Sequence, residues 1–420
     1  MNYAAMSCDA LLAEQKALVA AYEAAKAKGL SLDLSRGKPA ADQLDLAMPM
    51  LDMKVTRTEK GFDARNYGIL EGLPEMRALF SEITGIPAKN IIVGGNSSLN
   101  MMYDTVARAM LYGVAGSARP WVREERVVFL CPVPGYDRHF RICESLGIEM
   151  INIPMDENGP DMDEVERLVA DPAVKGMWCV PKYSNPSGIT YSEEVVRRLA
   201  TMKTAAPDFR IFWDNAYIIH DLYDEPDALA DIFALAAEAG NGNRPFIFTS
   251  TSKVTLPGAG VAMMAASDEN LAQILPILGA QTIGSDKLNQ LRHVAYLKNA
   301  ENTREVMRRQ AALIRPKFEK MIEILDRDLT PYGISSFTKP NGGYFISLDL
   351  PAGCAQRTFA LCKAAGVTLT DAGATYPYNR DPEDKNLRLA PTFATIEAIE
   401  SATEVLAIAA RLAALEKLLA

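Results

Sequence analysis

Histidine is scarce in this chain: His139, His220 and His293 are the only three in 420 residues. No HExxH and no CxxC occurs, and the six cysteines (Cys8, Cys131, Cys143, Cys179, Cys354, Cys362) are scattered. A metal centre is therefore not expected, and the cysteines read as buried free thiols. A G-x-S-x-G elbow is missing too, which argues against Ser-His-Asp hydrolysis. No apolar run approaches the roughly 18 residues that a membrane-crossing helix needs. The first residues lack the basic, apolar and small-residue blocks of a secretion signal, so a cytoplasmic protein is expected. Basic charge is also in deficit, with 44 Lys+Arg against 53 Asp+Glu and a net charge of −9. Nucleic acid and anionic membrane both need a basic face, so neither is an expected partner. An enzyme with so few intrinsic nucleophile and metal motifs would take its chemistry from a cofactor.

What remains is the composition of an ordinary globular protein, 49% apolar and 23% charged. The length calls for a large α/β body with a smaller companion. Residues 1–60 read as a segment joining the smaller body, 61–299 as the large domain and 300–420 as a small α+β domain. Leu11, Leu12, Leu18, Val19 and Tyr22 are spaced as one face of a helix. Seven short apolar runs then recur: "NIIVGG" (90–95), "RVVFLCP" (126–132), "IEMINIP" (148–154), "GMWCVP" (176–181), "FRIFWD" (209–214), "FIFTS" (246–250) and "GVAMMAAS" (260–267). Most alternate with helical stretches. Apolar runs without polar alternation are strands buried on both faces, so a mostly parallel seven-stranded sheet flanked by helices is predicted. Beyond residue 300 a long helical stretch, a hairpin around Pro340-Asn341-Gly342-Gly343 and a closing amphipathic helix are expected.

Ligands of open α/β sheets bind beyond the carboxyl ends of the strands. The residues there are Gly95-Asn96-Ser97-Ser98, Pro134-Gly135-Tyr136, Tyr183-Ser184-Asn185-Pro186, Asp214-Asn215-Ala216-Tyr217 and Ser250-Thr251-Ser252-Lys253. Asn96, Ser97 and Ser98 open a helix, where N–H groups and hydroxyls can cradle a phosphate or serve as a plain cap. Asp214, after "FRIFW", either begins a helix or meets a cation at the edge of an apolar interior. Lys253 is a loop lysine taken singly, but a desolvated lysine forms Schiff bases with carbonyls. An aldehyde, a basic ring nitrogen, a phenolic oxygen and a phosphate together describe pyridoxal phosphate.

The motifs "NYGILEGLPEMRALF", "PVPGYDRHF", "YSNPSG", "FWDNAY", "STSK" and "NLRLAP" follow one another in the order of a known family. Between residues 66 and 391 the chain resembles the class I/II aminotransferases of pyridoxal-phosphate fold type I. "LDLSRGKPAADQLDLA", "GGNSSLN" and "QTIGSDKLNQLRH" are closest to the bacterial type Ic aspartate aminotransferases. The resemblance implies an aminotransferase working on an amino acid and a 2-oxo acid, with L-aspartate and 2-oxoglutarate as the expected pair. It implies that Lys253 anchors the cofactor and moves the substrate's proton, and that Asp214 keeps the ring nitrogen protonated. Asn185 and Tyr217 would bond the phenolic oxygen, and Tyr136 would stack on the ring. Asn96, Ser97, Ser98 and Ser250 would hold the phosphate. Tyr67 would reach the phosphate of a second subunit, which implies a homodimer with shared sites. Arg388 would clamp the α-carboxylate, with Asn185 beside it and Gly37 packed close. For a distal carboxylate Arg36, Lys38, Arg138 and Arg292 are the candidates, Arg36 the favoured one. Many relatives carry an arginine for the phosphate where this chain has Val261.

Other specificities (aromatic, alanine) and a β-lyase are the nearer rivals. A non-enzymatic ligand sensor lacks room for an added DNA-binding unit. A dinucleotide loop at Gly258-Ala259-Gly260 lacks its third glycine and precedes a strand instead of a helix.

Overall fold

The structure is a computed structural model and describes residues 2–420. Its first helix, Cys8–Lys26, starts at Ser7, whose side chain accepts from the Ala10 N–H. Leu11, Leu18 and Tyr22 form its buried face, whereas Leu12 and Val19, grouped with them from their spacing, are exposed. The chain then extends through β1 (Leu32–Asp33).

The large sheet begins with β2 (Ile91–Val93), β3 (Val128–Val133), β4 (Glu149–Asp156) and β5 (Gly159–Pro160). It continues with β6 (Val174–Cys179), β7 (Arg210–Asp214), β8 (Pro245–Ser250) and β9 (Ala262–Ala265). Its spatial order is β2-β9-β8-β7-β6-β3-β4-β5. From β8 through β4 every pairing is parallel, whereas β9 runs antiparallel to both β8 and β2. All seven predicted strands are present. The eighth, β5, is a two-residue antiparallel return against β4, too short to leave a periodic signal.

β7 explains why these runs read as uninterrupted apolar stretches. Ile211 and Trp213 enter one core with Val196, Leu199 and Ile232, while Phe212 enters another with Phe129, Trp178 and Phe248. Side chains alternate across a strand, so a strand covered on both sides has no polar face to show.

The remaining strands are β10 (Ser336–Phe337), β11 (Ile346–Asp349), β12 (Val367–Thr368) and β13 (Asn386–Leu389). β10 and β11 form the expected hairpin, and β13 adds antiparallel to β11. β1 pairs in parallel with β12. Leu11, Leu18 and Tyr22 share a core with Phe318, Met321 and Leu325 of helix Ala300–Asp328 and with Leu406 and Ala410 of helix Ile396–Leu418. Five cysteines are buried and unpaired as expected, but Cys8, the first residue of its helix, is exposed. Among the described residues no helix is long and apolar enough to cross a membrane.

Candidate active site

The carboxyl ends of β7 and β8 deliver Asp214 and Lys253 to one cavity of about 190 Å³. Ser97, Ser98, Tyr136, Asn185, Tyr217 and Ser250 line it as well, with Gly37 and Phe345 at its side. Nine sequence-predicted residues, drawn from positions 37 to 253, therefore meet in one place.

Asp214 is buried. Its Oδ2 lies 3.0 Å from His139 Nε2, and the His139 ring stacks on Trp178 at 4.2 Å with the planes 8° apart. Asp214 Oδ1 is buried with no hydrogen-bond partner. A carboxylate oxygen left so is costly unless a cationic donor completes it. A protonated heterocyclic nitrogen is such a donor. His139 was not singled out for the site from sequence, though a signal existed: it lies three residues after Tyr136, one turn along helix Asp137–Ser145.

Lys253 is half-buried and lines the cavity. Desolvation pushes its amine below the usual lysine range, against the pull of Asp214. Its Nζ lies 4.9 Å from the centre of the Tyr217 ring and 5.8 Å from that of Tyr344. Burial also raises the Tyr217 phenol well above its ordinary value, with Tyr136 and Asp214 adding to the effect. Tyr217 therefore stays a neutral donor. His220, edge-on to Tyr217 at 5.5 Å, is buried, and burial together with Lys253 and Lys182 pushes its pKa down to about 3.

At the other end of the cavity, Ser97 caps helix Ser98–Tyr112, its side chain accepting from the Leu99 N–H. Ser250 Oγ donates to Ser252 Oγ at 3.0 Å, and Ser252 Oγ donates to the Asn96 carbonyl at 3.3 Å. Ser252, named at the strand end but given no role there, lines the cavity too. Asn96, by contrast, is exposed and does not line it; its backbone carbonyl serves the loop. A Cβ on Gly260 would stand 2.9 Å from that carbonyl, which accounts for a glycine there. Val261 is buried in the apolar core, its N–H donating to Thr251 Oγ1 at 2.9 Å. A helix N-terminus with four serine hydroxyls, those of Ser97, Ser98, Ser250 and Ser252, thus fits a phosphate without the usual arginine.

Arg388, on β13, is nearly buried and lies against the Phe345 ring at 4.9 Å. Its Nη1 reaches Asp137 Oδ1 at 2.9 Å and Asn185 Oδ1 at 3.4 Å, and its Nε reaches Thr370 Oγ1 at 3.3 Å. Gly37 packs on the same phenyl ring: a Cβ there would come within 2.0 Å of Phe345 Cζ.

The four cations considered for a distal carboxylate stay outside the cavity lining. Arg36, the favoured one, pairs with Asp33 at 2.8 Å and its side chain is 60% exposed. Its own loop supplies that acid three residues earlier, a local attraction that sequence order alone does not rank. Lys38 lies 4.1 Å over Phe393, Arg292 is half-buried in helix Lys287–Leu297, and Arg138 is 3.7 Å from Asp137. Tyr67 is 79% exposed and does not line this chain's own cavity.

The donor set fits the cofactor that the motifs imply: a carboxylate for a ring nitrogen, an amine for an aldehyde, a phenol and an amide for an oxygen, and hydroxyls at a helix start for a phosphate. Comparison with known proteins agrees. The family model described as aspartate amino-transferase matches residues 6–420. An aspartate aminotransferase of Corynebacterium glutamicum is 49% identical over 94% of this chain and 92% of its own. The crystal structure of an aspartate transaminase from that organism superposes with a TM-score of 0.97 at 46% identity, covering 99% of both chains. At 23% identity the α-aminoadipate aminotransferase of Thermus thermophilus, solved with N-(5'-phosphopyridoxyl)-L-leucine, shares the fold (TM-score 0.73, 94% of this chain and 95% of that one).

Proposed function

This chain belongs to the aspartate aminotransferase family and is a pyridoxal-phosphate-dependent aminotransferase, and on that premise we propose that it moves the amino group of L-aspartate to 2-oxoglutarate. The observation that carries the reading is the pairing of an orphaned carboxylate oxygen, Asp214 Oδ1, with a depressed lysine, Lys253, in one cavity.

When bound, pyridoxal phosphate supplies an aldehyde for the amino group and a protonated ring that draws off the electrons of a breaking Cα–H bond. The protein supplies the rest. Asp214 holds the proton on the ring nitrogen, and His139 fixes the carboxylate in place through its other oxygen. Arg388 would take the substrate α-carboxylate with Asn185 alongside, holding the substrate in place for Lys253. Lys253, its amine kept reactive by desolvation, anchors the cofactor and later takes the proton from Cα. Tyr217 and Asn185 would hold the phenolic oxygen, and Tyr136 would stack on the ring. Ser97, Ser98, Ser250 and Ser252 fix the phosphate end. A second copy would bring Tyr67 to that phosphate, so the working form is a homodimer, and the site of action is the cytoplasm.

The test is spectroscopic. Purified protein should carry a near-ultraviolet or visible band that shifts when aspartate is added. Lys253→Ala should abolish both that response and turnover. Near-normal turnover by this variant would remove Lys253 from the role, and a stronger response to alanine or phenylalanine would reassign the substrate.

A further inference from the structure

Arg388 makes one short polar contact, and its partner is a side chain of the protein itself. Asp137 Oδ1 accepts from Arg388 Nη1 at 2.9 Å, whereas Thr370 and Asn185 lie at 3.3 and 3.4 Å. The second oxygen, Asp137 Oδ2, faces Arg138 Nε at 3.7 Å. Asp137 opens helix Asp137–Ser145, where an acid is favourable in any case. That role alone would leave its oxygens to the helix N–H groups; instead both face guanidinium groups. Both cations also act to lower the pKa of the Tyr136 phenol, against the larger raising effects of burial, Asp214 and Asp137.

This places a carboxylate of the protein on the guanidinium proposed to take a carboxylate of the substrate. A planar guanidinium binds a carboxylate best through two parallel bonds, and Asp137 gives Arg388 only one oxygen. A free carboxylate that offers two can replace it. The charges bear on selectivity as well. Arg388, Asp137 and Arg138 sum to a single positive charge, while a dicarboxylic acid brings two negative ones. Asp137 therefore opposes both carboxylates of a dicarboxylic acid but only the one of a monocarboxylic acid.

We propose that Asp137 is an internal competitor for the substrate carboxylate: it closes Arg388 between substrates, yields to a carboxylate offering two oxygens, and returns as a product leaves. An enzyme that exchanges one acid for another in each half-reaction gains from such a device, because each product acid must depart before the next substrate can bind. The selectivity arm rests on the dicarboxylate reading above; the competition itself needs only that Arg388 takes a carboxylate.

The experiment is calorimetric titration of the holoenzyme with succinate and with butyrate, non-reacting acids of equal chain length. In the wild type succinate should bind more tightly than butyrate. Asp137→Asn should bind butyrate several-fold and succinate roughly tenfold more tightly, as expected for losing a charged rival. KM for aspartate should fall in parallel while kcat stays level or drops. Asp137→Ala, which removes the hydrogen bond altogether, should shift affinity in the same direction. Unchanged or weaker butyrate binding in both variants, with normal thermal melting, would overturn the competitor. Butyrate and succinate binding equally well to the wild type would instead remove the dicarboxylate reading, with the Asp137 effect on butyrate still legible.

Discussion

Asp214 and His139 share one hydrogen bond, Oδ2 to Nε2 at 3.0 Å, and that bond leaves Asp214 Oδ1 buried and unpaired. The arrangement assigns the two oxygens different duties, one to be held and one to hold. Asp214→Asn keeps the shape and removes the charge. A lost charge-assisted hydrogen bond of about 1.5–3 kcal/mol predicts a fall in single-turnover rate of roughly ten- to a hundredfold. His139→Phe keeps a ring on Trp178 and loses only the positioning bond, so its loss should be smaller. Rapid-mixing absorbance would compare them, and a larger loss for His139→Phe would reverse the assignment.

Gly37→Ala forces a Cβ to within 2.0 Å of Phe345 Cζ, so the ring must move. Overpacking of this kind typically costs about 1–3 kcal/mol, and here the ring displaced is the one against which Arg388 lies. KM for aspartate should rise by about tenfold or more, while the cofactor's absorbance band stays in place. Loss of the band together with affinity would mean that the whole cavity, and not the Arg388 end, depends on Gly37.

His220 makes stability pH-dependent. Both of its ring nitrogens are buried without a partner, and its folded pKa is pushed down to about 3 by burial, Lys253 and Lys182. The unfolded chain binds the proton from near pH 6.5 downward while the folded chain refuses it, so stability is lost as pH falls from about 6.5 toward 3. His293, also depressed by burial, acts in the same sense. Urea melts of the wild type and His220→Gln should therefore converge or cross as the pH is lowered, with the wild type losing up to about 1.4 kcal/mol more per unit. Parallel curves would show that His220 is not held neutral.

Asp208 accepts from buried Lys175 at 2.8 Å, and from half-buried Ser117 and buried Trp121 at 2.9 Å. Burial by itself would raise this carboxyl; Lys175, Ser117 and Trp121 outweigh it and hold the pKa below the usual range. Asp208→Ala strands Lys175, with Glu124 at 3.6 Å as partial compensation. Destabilisation of about 3–5 kcal/mol is expected, at the lower end if Glu124 closes in. Denaturant titration measures it, and a change below about 1 kcal/mol would mean that the pair adds nothing.

Much of this site was legible because a parallel sheet brings its strand ends to one edge. Asp214 and Lys253 end adjacent strands, so their meeting follows from strand order. Ser97, Ser98, Asn185 and Tyr217 follow by the same rule. Cations were harder to place. Arg36 turns to Asp33, a choice between neighbouring carboxylates that depends on loop conformation. Asp137 and Arg388 are 251 residues apart, and no periodicity links them. Phe345, against both Gly37 and Arg388, stands out by no motif in the sequence. The β1–β12 pairing was invisible because two residues make no pattern.

That pairing bears on how the protein is made. The Tyr22 hydroxyl donates to the carbonyl of Leu361, 339 residues later, and the helix bearing it packs on the last helix of the chain. On a ribosome the first helix emerges long before anything that can cover Leu11 and Leu18. For most of synthesis an apolar stripe must wait in solution while the large sheet assembles between its two halves, a period in which a nascent chain is open to chaperones and to aggregation.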